Sequence, residues 1–260
     1  MSDKPIIMTG ESVRAILDGR KAQTRRVIKP QPIEAFDGQW EFKDKYGKWI
    51  GAYNPRSGER NVKSPYQVGD RLWVKETWAV GKGYDSLKPL DIQRNYITAG
   101  YPISYSRRYP RKWYKADTSL VEKHGIGKWH SPLFMPKAFA RLWLEVTAVK
   151  AERLQDISEE DAIAEGVPEW ANKDDIANGY LLDRPLDDYW CPTCQGHGLH
   201  PALGANYGVI EVECRDCDTS IKLFRNRWDA LNAKRGYPWE NNDWVWAYTF
   251  KRIEPPTEKK

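Results

Sequence analysis

The chain has 260 residues, 40% of them hydrophobic and 30% charged, which suits one large core or a core carrying insertions and excludes a disordered chain. Forty-one basic side chains nearly balance 36 acidic ones, and the net charge of +5 is too small to argue by itself for nucleic-acid wrapping. No apolar run nears the roughly 20 residues of a membrane span, and the opening Met1-Ser2-Asp3-Lys4-Pro5 lacks a signal peptide's apolar stretch, so a cytoplasmic protein (bacterial, or of a phage-infected host) with no membrane partner is expected.

The first element is a short amphipathic helix, with Val13, Ile16 and Leu17 at helical spacing and Gly19 as its stop. Directly after it come Arg20, Lys21, Thr24, Arg25 and Arg26. An amine crowded by cations or buried loses its proton more readily, and a neutral amine beside a hydroxyl is one way to make a nucleophile. The same residues also suit a basic turn that binds phosphate or is merely solvated.

Lys29-Pro30-Gln31-Pro32 breaks regular structure, and residues 33 to 65 read as a hairpin-like excursion around Trp40, Phe42 and Trp49. Val68-Gly69-Asp70 then turns into a strand in which Leu72 and Val74 alternate with Trp73 and Lys75. Residues 80 to 131 show no clear periodicity and read as a long decorated loop. Within it Arg107, Arg108, Arg111, Lys112 and Lys115 interleave with Tyr105, Tyr109, Trp113 and Tyr114. That interleaving suits single-stranded RNA or DNA, through phosphate contact and base stacking, and equally a half-exposed loop.

Ala140 to Val149 alternates as a strand, and Ser158 caps a short acidic helix carrying Glu159, Glu160, Asp161 and Glu165. All four cysteines then fall in two pairs, Cys191-Pro192-Thr193-Cys194 and Cys214-Arg215-Asp216-Cys217, with nineteen residues between the pairs. This spacing predicts one structural Zn2+ held by Cys191, Cys194, Cys214 and Cys217. Four thiolates leave no open position, so His197 and His200 read as loop residues and catalytic zinc is not expected. A helix with Phe224, Trp228 and Leu231 on one face follows, stopped near Gly236, and Trp244 to Phe250 forms the last strand. No glycine-rich phosphate loop follows a strand, which argues against a doubly wound sheet. The expected fold is α+β: a small barrel-like core over 1–170 with inserts at about 33–65 and 80–130, a zinc-ribbon-like insertion over 171–222, and a helix and strand over 223–260 completing the core.

Val13 to Lys21 with Thr24, the Gly69 to Val74 turn and strand, and the Leu154 to Gly166 helix together resemble the ASCH domain. Lys29 to Pro32, Glu76-Thr77-Trp78, Trp228 to Leu231 and Trp244 to Trp246 extend the likeness to the longer ASCH-like proteins of phages and prophages. The resemblance implies a PUA-like β-barrel and RNA-related roles. Small bacterial members hydrolyse acetylcytidine with a Lys and a Thr in a Gly-Arg-Lys-x-x-Thr turn and a Glu on the next helix. Carried over, these are Lys21, Thr24 and Glu165, with Glu159 or Glu160 as alternatives for the acid.

The implied function is therefore amide hydrolysis on an acylated nucleobase or nucleoside. Thr24 would attack, Lys21 would take its proton, and Glu165 would hold the amine or pass the proton onward. Arg20, Arg25 and Arg26, the carboxylate of Glu76, and Trp73, Trp78 or Trp143 as stacking surfaces are expected around the substrate. A non-catalytic RNA or modified-base binding module is the alternative, and a ribonuclease comes third, since no Asp and Glu cluster at metal-site spacing stands out.

Overall fold

The structure is a computed structural model that describes residues 2–35, 39–43, 46–53, 64–98, 112–117, 125–167, 193, 199–203, 209–216 and 218–256. It is of mixed α+β class, and its main sheet has five strands: β1 (Asp3–Ile7), β2 (Gln23–Val27), β6 (Arg71–Lys75), β9 (Trp143–Arg153) and β12 (Trp244–Ile253), ordered β1-β6-β9-β12-β2. A closed barrel is expected from the sequence. Among the described residues the sheet instead stays open, ending at β1 and β2. The approach to β2 is taken up elsewhere: Lys21 bridges Glu165, and the Ala22 N–H donates to the Ala164 carbonyl at 2.8 Å. Closure would need the edge strands β1 and β2 to pair, and no such pairing occurs among the described residues.

The chain divides into two compact units. The first comprises Met1–Gly19, Tyr66–Thr147 and Phe250–Lys260. In it β1 runs parallel to β6, with Lys4 opposite Leu72 and Ile6 opposite Val74, and β6 pairs antiparallel with β9. Helix α1 (Gly10–Leu17) begins where the Thr9 hydroxyl accepts from the Ser12 N–H, buries Val13 and Ile16, and stops before Gly19 at φ +76°. The stretch read as a loop contains regular elements. The two-residue strands β7 (Trp78–Ala79) and β8 (Trp113–Tyr114) pair, and α2 spans Pro89–Thr98. Its Ile92 packs with Trp78, Val80, Tyr114, Met135 and Phe139.

The second unit comprises Arg20–Pro65 and Ala148–Thr249. There β2 pairs antiparallel with β12, placing Thr24 opposite Tyr248 and Arg26 opposite Trp246. The 33 to 65 excursion contains a three-stranded antiparallel sheet of β3 (Ile33–Glu34), β4 (Trp40–Lys43) and β5 (Trp49–Tyr53). Helix α3 (Glu159–Ala164) follows, then an antiparallel hairpin of β10 (Leu199–Leu203) and β11 (Val209–Glu213), then α4 (Ser220–Asn232). Ile157, Ala162, Val167, Leu223, Phe224, Trp228 and Val245 form one buried cluster. Leu231, expected on the buried face of α4, is 40% exposed, because the packed stripe is drawn by Leu223, Phe224 and Trp228 one turn earlier. Among the described residues no helix is long and apolar enough to cross a membrane.

Candidate active site

Within the second unit an amine and a carboxylate meet. Ser158 opens α3 by accepting from the Asp161 N–H, and Glu165 closes it as the C-cap, followed by Gly166 at φ +86°. That stop turns Glu165 toward the segment entering β2. The Lys21 Nζ donates to the Glu165 main-chain carbonyl and to its Oε2, each at 2.6 Å, with both residues 5% exposed. Burial pushes the Lys21 amine down; the Glu165 carboxylate opposes this, while the Arg227 and Arg26 cations add to it, leaving a pKa of about 8.

Glu165 is also shared with Arg25, which the sequence marks as a substrate contact. The Arg25 side chain is fully enclosed among three carboxylates. Its Nε donates to Glu152 Oε1 at 3.0 Å, its Nη2 to Asp161 Oδ2 at 2.8 Å, and its Nη1 to Glu165 Oε1 at 3.4 Å. Gln23 completes the set, accepting from Arg25 Nη1 at 3.1 Å and donating to Asp161 Oδ1 at 2.8 Å. Without the guanidinium, Glu165 would keep only Lys21 and Glu152 only Lys150 as cationic partners, while the half-buried Asp161 would turn to Gln23 and solvent. Arg25 therefore orients Glu165. Glu152 and Asp161 carry no signal in the sequence, because they lie 127 and 136 residues from the cation they surround.

Thr24 is buried at 5% exposure, but successive side chains of a strand point to opposite faces. Gln23 and Arg25 reach α3, so Thr24 stands on the other face of β2. The hydrogen bonds of Lys21 and Glu165 do not include its hydroxyl. Arg20 Nη1 donates to the Gly166 carbonyl at 3.3 Å. Of the alternative acids, Glu159 accepts from the Ser220 and Ile221 N–H groups at the start of α4, and Glu160 is exposed.

Glu76, Trp73, Trp78 and Trp143 belong to the first unit. Glu76 is buried and closed by two bonds from Arg141, to Oε1 at 2.9 Å and Oε2 at 3.0 Å. Trp78 is fully buried, stacked on His130 at 4.5 Å and edge-on to Phe139. Trp143 is buried as well, and Trp73 is half-buried with the Lys75 Nζ 5.3 Å over its ring. Of the basic and aromatic run, residues 105 to 111 lie outside the described residues, and Tyr114 is core, its hydroxyl donating to the Phe139 carbonyl.

A cleft of about 300 Å³ in the second unit is lined by Trp40, Trp244, Glu152, Arg153, Lys150 and Asp156. The Trp40 and Trp244 rings lie 5.2 Å apart, and the Arg153 guanidinium sits 4.2 Å and 5.1 Å over them. Its volume is at the lower end of the roughly 300–1,000 Å³ of small-molecule sites. Glu152 belongs to both the cleft and the Arg25 cluster, so the chain Lys21–Glu165–Arg25–Glu152 runs from the amine to the cleft wall. Sequence reading does not anticipate Glu152, Arg153 or this cleft.

Compared with family models, with curated proteins and with solved structures, the chain matches none.

Proposed function

We propose that the chain is an amidohydrolase that removes the acyl group from the exocyclic nitrogen of a nucleobase or nucleoside, acetylcytidine being the simplest substrate. The observation that carries this reading is the buried Lys21–Glu165 pair, an amine brought to about 8 and held by a carboxylate that Arg25 fixes in place. Water adds across the amide C–N bond, giving acetate and the free amine. Neutral Lys21 takes the proton of the attacking oxygen, and the proton is delivered to the departing nitrogen, with Glu165 holding the ammonium in between. In the family resemblance Thr24 supplies that oxygen. Because Thr24 faces away from Gln23 and Arg25, we assign the attack to water and Thr24 to the packing between β2 and β12. A PUA-like, ASCH-type architecture is part of the same proposal.

The test is acetate release from acetylcytidine by the full chain. Lys21→Ala and Glu165→Gln are expected to lower kcat by about 10²–10⁴-fold, as for lost proton transfer. Thr24→Ala is expected to cost under about tenfold, since water remains the nucleophile. Equal turnover in wild type, Lys21→Ala and Glu165→Gln overturns the proposal. A Thr24→Ala loss as large as that of Lys21→Ala returns the attack to the hydroxyl.

A second reading, a binding module for single-stranded RNA or DNA without chemistry, is favoured by the layering of Arg153 on Trp40 and Trp244. Guanidinium and aromatic faces of this kind stack bases with little sequence preference. Such binding weakens steeply with salt. No affinity for a single strand in a low-salt filter-binding assay removes it.

A further inference from the structure

Cys191, Cys194 and Cys217, expected as zinc ligands, lie outside the described residues, and Cys214 is buried in the cluster with Leu223 and Phe224. The charged cluster around Arg25 is described throughout, and its acids hold the guanidinium unequally. Nε and Nη2 both go to Glu152 Oε1, at 3.0 Å and 2.8 Å, and Nη2 also reaches Asp161 Oδ2 at 2.8 Å. Nη1 is left for the Gln23 amide oxygen at 3.1 Å and for Glu165 Oε1 at 3.4 Å, the longest contact of the set. Glu165 is divided accordingly: Oε1 meets Arg25 at 3.4 Å, while Oε2 meets the Lys21 amine at 2.6 Å. A carboxylate between two cations serves one less as the other comes closer, because both draw on the same charge. Whatever fixes Arg25 therefore fixes how much of Glu165 is left to Lys21. Of the two anchoring acids Glu152 is the deeper, with 2% side-chain exposure against 30% for Asp161. Its second oxygen has Lys150 Nζ 2.6 Å away, an ion pair that leaves Oε2 without a directed hydrogen bond. Lys150 is 53% exposed and lines the cleft. One buried carboxylate thus stands between an enclosed cation and a solvated one.

We propose that Glu152 is a positioning residue for Lys21: it holds Arg25 by the edge remote from Glu165, so that Glu165 Oε2 stays on the amine, and Lys150 at the cleft sets how firmly it does so. This role rests on the hydrolysis proposed for Lys21, and it adds a control, exerted from the cleft, on the charge of the proton acceptor. Glu152 acts through Arg25 and Glu165, without contact with the reacting atoms. The charged groups around Lys21 come from four elements: Arg25 and Arg26 on β2, Asp161 and Glu165 on α3 and its cap, Arg227 on α4, and Glu152 with Lys150 on β9. If Glu152 loses its charge, Arg25 keeps only Asp161 and Glu165 and draws nearer to Glu165, which then holds the ammonium less. The lost negative charge acts in the same direction, toward a neutral amine. Removing the Lys150 charge does the reverse. Glu152 is then left to Arg25 alone, Arg25 withdraws from Glu165, and Glu165 holds the ammonium more firmly.

The test is a direct titration of Lys21 in the full chain, by NMR of lysine labelled at Cε, with the signal assigned from its absence in Lys21→Ala. This readout exists whether or not acetylcytidine is hydrolysed. The wild-type midpoint is expected at about 8. Glu152→Gln, which keeps the shape of the side chain, is expected to lower the midpoint by about 0.5–1 pH unit. Lys150→Met is expected to raise it by about 0.2–0.5 pH unit, a smaller change because water and salt screen an exposed charge. Glu160→Gln removes an exposed carboxylate of α3 outside the cluster and is expected to leave the midpoint within about 0.1 pH unit. The rising limb of the kcat/KM profile for acetylcytidine is expected to move by the same amounts and in the same directions. A Lys21 midpoint unmoved by Glu152→Gln overturns the proposal, as does movement of the Glu152 and Lys150 variants in one direction. If Glu152→Gln fails to fold, Lys150→Met on the surface decides, and a lowered or unchanged midpoint overturns the proposal. Opposite shifts without any acetate release keep the positioning and sink the hydrolysis, whereas acetate release with unmoved midpoints does the reverse.

Discussion

Lys21 is the residue on which the proposed hydrolysis turns, and its environment sets the pH dependence expected of that reaction. A lysine whose pKa lies at about 8 rather than 10.5 is neutral, and able to accept a proton, in a growing fraction as pH rises toward and through 8. Turnover is therefore expected to climb through about pH 8 and level off above it. Arg227 is one of the cations that push the amine down. Replacing it by Gln should move the rising limb of the kcat/KM profile to higher pH while leaving its plateau within about twofold, whereas a merely structural Lys21 would leave the profile where it was. The basic cluster after Gly19 was conspicuous as sequence, yet its members separate in the fold. Lys21 and Arg25 both go to Glu165, Arg20 goes to a main-chain carbonyl, and Thr24 goes to the opposite face. Composition marks such a cluster, and only the pleat of the strand says which side chains share a face.

Helix α3 is the element that presents Glu165, and it is only six residues long. So short a helix has little stability of its own and depends on its ends and its packing. Ser158→Ala removes the bond to the Asp161 N–H and is expected to cost about 1 kcal/mol, or about 2–4 °C in Tm for a protein of this size. No change in Tm would show that packing of Ala162 and Ile157 alone holds the helix. Elements with strong alternation or spacing were legible: α1 from Val13 and Ile16, β6 from Leu72 and Val74, and β12 from its aromatic run. Helix α2 was not: among its described side chains Ile92 is buried while Leu90, two positions earlier, is exposed, a spacing unlike the three or four of a helical face. The pairs β7 and β8 are two residues long, too short to show any period.

At the scale of the whole molecule, Asp70 ties the first residues of the chain to the turn before β6. It accepts from Ser2 Oγ at 2.8 Å, Lys4 Nζ at 2.7 Å and the Gln67 N–H at 2.8 Å. Burial raises its pKa, but these bonds outweigh the burial and hold it down at about 2. A carboxylate lowered in this way stabilises the fold fully above its ordinary value near 3.8, and the contribution fades as pH falls toward 2. Asp70→Asn should lower stability at neutral pH and lessen its loss between about pH 4 and 2; parallel acid-unfolding curves for the two proteins would refute this. The sequence alone determined the mixed class of the protein, the stop of α1 at Gly19, the cap of α3 at Ser158, the alternation of its long strands, and the cysteine spacing, because each of these is a local matter of residue type and short period. The tertiary structure alone decided that the sheet stays open among the described residues, that Glu165 rather than its neighbours meets Lys21, and that Arg25 is enclosed by acids more than a hundred residues away. Those outcomes follow from which faces and edges the packed elements share, and no stretch of the chain read by itself contains that information.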